Sequence, residues 1–320
     1  MNSGRVIALL FALVAGGPAV HAADGYPTRP VKLVVGYAAG GAADVIARIT
    51  VNSLSKRLGQ PVIIENRPGS GGNVAAEIVV NSDADGYTLH FIASSDAINA
   101  SLYTKRRFDI RKDLTPVGGI ISLPVVFVVN PAVPAKNYAE FIAYARANPG
   151  KVNLASPGTG TTSHLEIEVM NTTAETKVQH IPYRSGGAIN DVISGQVQGM
   201  YASIATVVAH INSGAVRALY VTSDARDPSL PDVPSAREAK DAPDLNSWFG
   251  LDAPRGTPPA VIDHLNDLLR LTLAEPDIVK RFAELGGTSL ILKPAEFGTF
   301  LDQEIARYNT AIKASGASID

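Results

Sequence analysis

The sequence contains no cysteine, one tryptophan and three methionines among its 320 residues. Without a thiol, the chain cannot form a disulfide, hold an iron–sulfur cluster through thiolates or use a cysteine nucleophile. The net charge is also small, because 28 basic and 30 acidic residues nearly balance and leave a formal net charge of -2 at pH 7. Proteins that bind nucleic acid carry a basic face, so we predict no nucleic-acid partner.

The sequence motifs of common enzymes are missing too. None of the six histidines has the i, i+4 spacing with an intervening glutamate that a helical zinc site needs. The chain has no Gly-x-Ser-x-Gly elbow, no Gly-x4-Gly-Lys phosphate loop and no Gly-x-Gly-x-x-Gly pattern. Ser53 and Lys56 match the serine–lysine spacing of penicillin-recognising enzymes, but no Lys-Thr-Gly or Ser-Asp-Asn motif accompanies them. We therefore predict no catalysis, no metal ion and no cofactor.

An apolar run occurs at the N-terminus. Arg5 precedes the run Val6 to Gly17, and small residues follow it up to Ala22. This order is typical of a secretory signal peptide, and the run is shorter than the roughly 20 apolar residues that span a bilayer. We predict that residues 1–22 are a signal peptide cleaved after Ala22 and that the mature protein is periplasmic. The alternative, a buried N-terminal helix, is disfavoured by Gly16-Gly17-Pro18.

Apolar β-branched runs alternate with helical patterns along the rest of the chain. Val31–Val35 is typical of a buried strand, and residues 44–58 are typical of a helix with one apolar face, formed by Val45, Ile49, Leu54 and Leu58. Further strands are predicted at 61–64, 87–93, 125–129, 152–155, 177–181, 199–201, 216–221 and 248–253. Further helices are predicted at 74–80, 138–147, 165–170, 188–193 and 207–211, and three more helices from residue 259 onward. Strand–helix–strand repetition predicts mostly parallel sheets. The pattern gives two α/β blocks, with boundaries near 122–125 and 245–248, and leaves open which block the helical tail joins.

Small and polar residues are concentrated in loops between a strand and a helix. In open sheets, ligands bind where such loops run into helix N-termini, whose N–H groups favour an anion. The first loop, residues 36–44, opens its helix with Gly40 and Gly41. Asp44 either caps the first helical turn or accepts a hydrogen bond from a ligand ammonium or hydroxyl group.

A second loop, residues 155–164, is rich in hydroxyl groups. Ser163 and Glu166 have the spacing of a capping box, so Ser163 is predicted to cap the next helix. Capping does not explain the remaining hydroxyls, which suit hydrogen bonding to carboxylate oxygens and belong to Thr159, Thr161 and Thr162.

Two further loops are candidates. In residues 183–188, Tyr183 either lines a pocket or packs at an interface, and Arg184 either pairs with an anion or is solvated. Ser94-Ser95-Asp96 follows another predicted strand, where Ser95 or Asp96 either lines the site or caps the segment that follows.

Ordered motifs extend from Tyr26 nearly to the C-terminus. They are Tyr26-Pro27-x-Arg29-Pro30-Val31, Gly40-Gly41-x-x-Asp44, Leu58-Gly59-Gln60-Pro61-Val62, Glu65-Asn66-Arg67-Pro68-Gly69, Asp85-Gly86-Tyr87-Thr88-Leu89, Asn148-Pro149-Gly150-Lys151, Gly158-x-Gly160-x-x-Ser163-His164-Leu165, Leu230-Pro231-Asp232-Val233-Pro234 and Ala253-Pro254-x-Gly256-Thr257-Pro258. Through these motifs the chain resembles the Bug family, the TctC-like extracytoplasmic solute receptors of tripartite tricarboxylate transporters.

The resemblance implies a type II periplasmic-binding-protein fold of the α/β class, with two lobes joined by a two-strand hinge. Residues 23–123 and 247–320 would form the first lobe, and residues 124–246 the second. The resemblance also implies that backbone groups and waters hold a small organic carboxylate between the lobes, from loops 38–44 and 158–164. Its partners would be integral membrane transporter subunits of the TctA and TctB type, and we expect the receptor to be a monomer.

The chain departs from the family pattern in two places. Ala38 and Ala39 stand where the family usually has two prolines, and Tyr201-Ala202-Ser203-Ile204-Ala205 replaces the usual Phe-Asp-Asn-x-Pro. The pocket thereby lacks an acid that could meet a ligand amine or hydroxyl, so we expect a plain or aromatic carboxylate rather than an amino acid. The predicted ligand-binding residues are Ala38, Ala39, Gly40, Gly41, Asp44, Ser94, Ser95, Thr159, Gly160, Thr161, Thr162, Ser163, Tyr183 and Ser203.

Two other functions compete with uptake. A receptor that presents its ligand to a membrane sensor predicts the same fold and site, and the sequence does not separate it from a transport receptor. A secreted α/β hydrolase is the second alternative, and the missing nucleophile elbow argues against it.

Overall fold

The computed structural model describes residues 25–103, 105–183 and 187–315, and for residues 314 and 315 the backbone alone. The predicted signal peptide, residues 1–22, and Arg184 of the third candidate loop lie outside the described residues. Among the helices described below, none combines the length and apolar character that crossing a bilayer requires.

The described strands form two sheets. The first contains β1 (Val31–Val35), β2 (Val62–Asn66), β3 (Thr88–Ala93), β4 (Leu114–Leu123), β10 (Ser247–Pro254) and β11 (Thr288–Ser289), in the spatial order β11-β4-β10-β3-β1-β2. The second contains β5 (Val125–Val129), β6 (Asn153–Ser156), β7 (Gln179–Pro182), β8 (Gly199–Ser203) and β9 (Arg217–Val221), in the order β7-β6-β8-β5-β9. We refer to each sheet with its helices as the first and the second lobe.

Helices cover both faces of each sheet. Those of the first lobe are α1 (Ala42–Leu58), α2 (Asn73–Val80), α3 (Ser94–Leu102), α4 (Ile110–Asp113), α9 (Pro259–Leu273), α10 (Pro276–Glu284) and α11 (Pro294–Ser315), with a 3-10 turn at Ser70–Gly72. Those of the second are α5 (Tyr138–Ala147), α6 (Thr162–Thr173), α7 (Ala188–Ser194) and α8 (Ile204–Asn212). The predicted two-lobed α/β fold is confirmed.

The prediction of mostly parallel sheets is wrong, because both sheets are mixed. β1 pairs in parallel with β2 and β3, and β6 pairs in parallel with β7 and β8. β10 runs antiparallel to β3 and β4, and β5 runs antiparallel to β8 and β9. The chain leaves the first sheet along β4 and re-enters it along β10, so these two strands must run in opposite directions.

Strand β4 was not predicted, because Pro116, Gly118 and Gly119 are unfavourable strand residues. Packing requires both glycines. A Cβ atom on Gly118 would lie 2.7 Å from the Nδ2 atom of Asn266, and one on Gly119 would lie 2.5 Å from the carbonyl oxygen of Leu290. The close approach of α9 and of the segment before α11 therefore explains the glycines in this strand.

Each lobe has a core on both faces of its sheet, because successive strand residues point to opposite sides. In β1, Leu33 packs in the cluster that contains α1 and α9, whereas Val34 packs with α2, α3 and α11. In β5, Phe127 belongs to the cluster with α5 and α6, and Val126 to the one with α7 and α8. On α1 the predicted face is partly wrong, because Val45 is 37% exposed.

The lobes are organised around the two chain crossings and one pair of helices. Thr222 follows β9, and its hydroxyl oxygen accepts a hydrogen bond from the N–H of Val125 at 2.9 Å and donates one to Oδ1 of Asn246 at 2.8 Å. Both chain crossings are thereby tied at one buried hydroxyl. In addition, α11 of the first lobe packs against α6 of the second, and Leu165 of α6 is buried in a first-lobe cluster.

Candidate functional site

A cavity of about 420 Å³ lies between the lobes, beyond the ends of β1, β3 and β6. Its lining residues are Tyr37, Ala38, Gly41, Ala42, Ala43, Gly71, Ala93, Ser94, Ser95, Ser247 and Phe249 of the first lobe and Pro157, Thr159, Gly160, Thr161, Thr162 and Ser163 of the second. None of these side chains carries a charge. Clefts of about 530 and 650 Å³ lie elsewhere, but neither brings helix N-termini of both lobes together.

Three helices begin at the wall of this cavity. Helix α1 starts after Gly41, α3 starts at Ser94, and α6 starts at Thr162. The first N–H groups of a helix have no partner within the helix, and the helix N-terminus carries roughly half a positive charge. Since two helices come from the first lobe and one from the second, both lobes present donors to the same space. The arrangement suits an anion.

The first loop is held in place by close backbone contact and by Asp44. A Cβ atom on Gly36 would lie 2.7 Å from the Cα atom of Gly72, so the backbones touch. Oδ2 of Asp44 accepts hydrogen bonds from the N–H of Gly40 at 2.9 Å and from Nε of Arg48 at 2.8 Å. The hydrogen bonds from Arg48 lower the pKa of this buried carboxyl to about 2. Asp44 thus fixes the loop through its own charge.

In the second loop the helix cap differs from the prediction. Thr161 is the N-cap of α6, and its hydroxyl accepts from the N–H of His164 at 3.3 Å and donates to the carbonyl of Gly158 at 2.8 Å. The prediction that Ser163 caps this helix is wrong, because the helix starts before it. Ser163 lies in the first turn and lines the cavity, and its supposed capping partner Glu166 is completely buried.

Two imidazole rings in tilted contact support this loop from behind. The ring centroids of His164 and His180 are 4.2 Å apart. Nε2 of His180 lies 2.6 Å from Oγ of Ser156, which accepts a hydrogen bond from the N–H of Gly158. Burial lowers the pKa of both histidines, that of His180 to about 4 with a further contribution from His164. Both rings are therefore neutral at pH 7.

Hydroxyl groups join the lobes across the cavity. Oγ1 of Thr162 lies 3.1 Å from Oγ of Ser94, and Ser247 donates a hydrogen bond to the same Thr162 oxygen at 3.2 Å. The hydroxyl of Tyr37 pairs with that of Ser95. The ring of Tyr37 meets Phe249 edge to face, with centroids 6.4 Å apart. The cavity thus combines polar rims with one aromatic wall.

The structure brings together nine of the predicted site residues as cavity lining: Ala38, Gly41, Ser94, Ser95, Thr159, Gly160, Thr161, Thr162 and Ser163. Five others do not line it: Ala39, Gly40, Asp44, Tyr183 and Ser203. The hydroxyl of Tyr183 donates to Oδ2 of Asp191 at 2.5 Å, and the carbonyl of Ser203 accepts from the hydroxyl of Thr206 at 2.7 Å.

Sequence reasoning missed the aromatic wall. Tyr37 lies within the first candidate loop, residues 36–44, so its position in the sequence could have indicated that it lines the cavity. Phe249 lies on β10, far along the chain from Tyr37, and only the pairing of β10 with β3 places it at the cavity. No described group of three or more histidines and acids is arranged to hold a metal ion.

Comparison with known proteins finds a family whose members resemble this chain. A sequence profile described as "Tripartite tricarboxylate transporter family receptor" matches residues 46–317 of this chain. Protein BugT of Bordetella pertussis is 34% identical over 325 residues, which covers 100% of both chains.

Solved structures resemble the chain over nearly its whole length. An R. palustris protein with adipate is 31% identical, with a TM-score of 0.82 over 92% of this chain and 99% of the other. MatC from Rhodopseudomonas palustris with bound malate is 31% identical, with a TM-score of 0.79 over 90% of this chain and 100% of the other. The periplasmic binding protein BugD is also 31% identical, with a TM-score of 0.79 over 92% and 99%.

Proposed function

This chain belongs to the tripartite tricarboxylate transporter receptor family, and from that premise we propose that the cavity between its lobes binds a small organic carboxylate. The protein is a solute-binding receptor and not an enzyme. The observation that supports the ligand class is the convergence of three helix N-termini, from both lobes, on a cavity whose described lining residues carry no charged side chain.

The described lining of the cavity presents hydrogen-bond donors without charged side chains. Each helix N-terminus stabilises an anion by about 0.3–1 kcal/mol when exposed and by up to about 2 kcal/mol when partly buried. Hydroxyls such as that of Thr162 add donors without a net charge, so an anion loses little by leaving water. Asp44, the carboxylate within the first loop, pairs with Arg48 and does not line the cavity. Adipate and malate, held by the two similar R. palustris proteins, are the natural first probes.

We assign residues 23–123 and 247–320 to the first lobe and residues 124–246 to the second, with the 14 predicted site residues as the starting set for mutation. The ligand favours lobe closure if it binds the closed state more tightly than the open one. The hydroxyl contacts of Thr162 with both Ser94 and Ser247 support this mechanism.

We further propose that residues 1–22 are removed by cleavage near Ala22 and that the mature receptor works as a periplasmic monomer. Its partners in this proposal are membrane subunits of the TctA and TctB type. Presentation of the ligand to a membrane sensor is the second candidate. Deletion of the gene separates the two, because it abolishes solute uptake in the first case and ligand-dependent gene induction in the second.

A thermal-shift panel on ligand-free protein tests the ligand class. Adipate, malate, citrate, an acidic amino acid and benzoate would be compared with matched alcohols at constant ionic strength. Ligand at 100 times its Kd stabilises by about 2.7 kcal/mol, which raises Tm by roughly 5–10 °C for a chain of this size. If no carboxylate shifts Tm, the proposed ligand class is wrong.

A variant pair at Gly41 tests the site. Gly41 has φ -77° and ψ 169°, so other residues fit there, and a Cβ atom would lie 3.4 Å from the carbonyl oxygen of Ala38. Asp is a good N-cap, so Gly41→Asp should keep the helix but place a negative charge against the ligand. Binding should be lost in Gly41→Asp and kept in Gly41→Ala. Equal affinities of the two variants would place the site elsewhere.

A further inference from the structure

A buried cluster of ionisable groups lies under one wall of the cavity. His90 is on β3, Asp96 on α3 and Asp252 on β10, and each is at most 1% exposed. Register pairing places Asp252 opposite His90, and Nε2 of His90 lies 4.0 Å from Oδ1 of Asp96. Among the described residues, Oδ1 of Asp96, both oxygens of Asp252 and both ring nitrogens of His90 have no hydrogen-bond partner. Burial disfavours the ionised form of each carboxyl, and the charge of Asp96 opposes ionisation of Asp252.

Asp96 is built into the helix end that faces the cavity. Ser94 and Ser95, which precede it, line the cavity, and Oδ2 of Asp96 accepts a hydrogen bond from the N–H of Ala93 at 2.8 Å. The 3-10 turn covers the carboxyl from the other side, since a Cβ atom on Gly72 would lie 3.0 Å from Oδ1. An ionised Asp96 would cancel the positive end of α3 where the ligand binds, and a protonated Asp96 would leave it intact.

The surrounding charges leave Asp96 as the group that titrates near neutral pH. Burial raises the pKa of Asp96 to about 7, and the hydrogen bond from the N–H of Ala93 and the charge of Arg106 lower it only in part. Burial raises the pKa of Asp252 well above its ordinary value, with a further contribution from Asp96 and an opposing one from Arg111. Burial also lowers the pKa of His90 to about 3 and raises that of Tyr37, which faces Asp96 from the first loop.

We propose that carboxylate binding in the cavity is coupled to protonation of Asp96, so that the receptor binds its ligand tightly with Asp96 neutral and weakly with Asp96 ionised. The inference rests on the proposed function, because it needs an anionic ligand at the N-terminus of α3. Coupling is reciprocal: an anion bound at Ser94 and Ser95 favours the protonated form, so binding takes up a proton in solutions near or above neutral pH. The affinity then falls as the pH rises.

Calorimetric titration at several pH values tests the coupling. The tightest-binding carboxylate of the panel, with adipate and malate first, would be titrated between pH 6.5 and 8.5 at constant ionic strength. Ligand carboxyls stay ionised over this range, and burial lowers the pKa values of His164 and His180, which disfavours their charged forms. We expect Kd to rise about tenfold from pH 6.5 to 8.5 if the ligand raises the pKa of Asp96 by about 1.5. Buffers of different ionisation enthalpy should show uptake of up to one proton.

Asp96→Asn isolates the group, because the Asn side-chain oxygen can still accept from the N–H of Ala93 while its amide mimics the neutral acid. This variant should bind at pH 8.5 about as tightly as at pH 6.5 and take up no proton. Asp267→Asn, which removes an exposed carboxylate on α9, should keep the pH dependence of the unmodified chain.

The inference is overturned if the unmodified receptor binds with the same Kd at both pH values and without proton uptake, or if Asp96→Asn retains the full pH dependence. Proton uptake by the unmodified receptor decides the question even if Asp96→Asn does not fold. Failure of the proposed function looks different, because then no carboxylate binds even at pH 6.5.

Discussion

The hydroxyl oxygen of Thr162, on the second lobe, lies 3.1 Å from that of Ser94, on the first, at the point where two helices of opposite lobes begin. A second first-lobe hydroxyl, that of Ser247, donates to the same Thr162 oxygen at 3.2 Å. One side chain of the second lobe is therefore bonded to two elements of the first, directly at the cavity. Such bonds exist only while the lobes face each other closely.

Thr162→Val should weaken ligand binding by about 5- to 150-fold. The substitution keeps the shape of the side chain but removes both interlobe hydrogen bonds, each worth about 0.5–1.5 kcal/mol net, so the closed state is less favoured. Calorimetric titration measures the change in Kd. Thr173→Val, at the exposed end of the same helix, is the control and should leave Kd unchanged. Equal affinities for the two variants would show that the bonds do not contribute to closure.

Thr222→Val should destabilise the whole protein by about 2–3 kcal/mol. The buried hydroxyl of Thr222 satisfies the N–H of Val125 and Oδ1 of Asn246, and its loss leaves both groups without that partner. Urea unfolding followed by circular dichroism gives the free energy of unfolding. Thr310→Val, whose exposed hydroxyl donates to the carbonyl of Ala306, should change it by less than about 0.5 kcal/mol. Equal free energies of unfolding for the two variants would show that the Thr222 hydroxyl does not stabilise the chain crossings.

Asp44→Asn should lower stability at pH 7 by about 1.5–3 kcal/mol, because hydrogen bonds to a charged group are lost. The folded-state pKa of Asp44 is lowered, so its stabilisation is complete above the unfolded pKa of about 3.9 and is lost as the pH falls toward 2. Urea unfolding at pH 3, 4 and 7 should show the variant converging on the unmodified chain at low pH. Asp85→Asn, which breaks an exposed pair with Arg29, should cost at most about 1 kcal/mol at any pH. A constant difference at all pH values would exclude the charge as the cause.

Glu166→Gln should stabilise the protein, and more so at high pH. Glu166 is completely buried, and burial, with a further contribution from Asp244, raises its pKa well above the ordinary value. A carboxyl with a raised folded-state pKa binds its proton more tightly in the folded chain, so stability falls as the pH rises above about 4.3. The Gln variant avoids this loss, and its Tm should exceed that of the unmodified chain by about 2–8 °C at pH 8 and by little at pH 4.5. Equal destabilisation by Glu166→Gln at both pH values would contradict a raised pKa of Glu166.

Much of the fold could be predicted from local sequence pattern. The strands Val31–Val35 and Val125–Val129 and the helix Tyr138–Ala147 are observed with the predicted bounds, because strong periodicity and clear end signals coincide there. The two polar loops were also recognised correctly as strand-to-helix connections. Two features were not predicted. β4 contains a proline and two glycines, and the close packing of Asn266 and Leu290 explains the glycines. The N-cap of α6 is Thr161 and not Ser163, because the helix begins at Thr162.

The sequence by itself determined the alternation of strands and helices, the family motifs and the small, hydroxyl-rich loops that supply backbone donors, since these depend on residues close together in the chain. The tertiary structure alone decided strand direction and the contact of Phe249 with Tyr37. It also decided that Asp96, Asp252 and Glu166 are buried, whereas Asp267 remains exposed. An acidic residue has the same local pattern in either setting, and its pKa depends on the distant elements that exclude water from it.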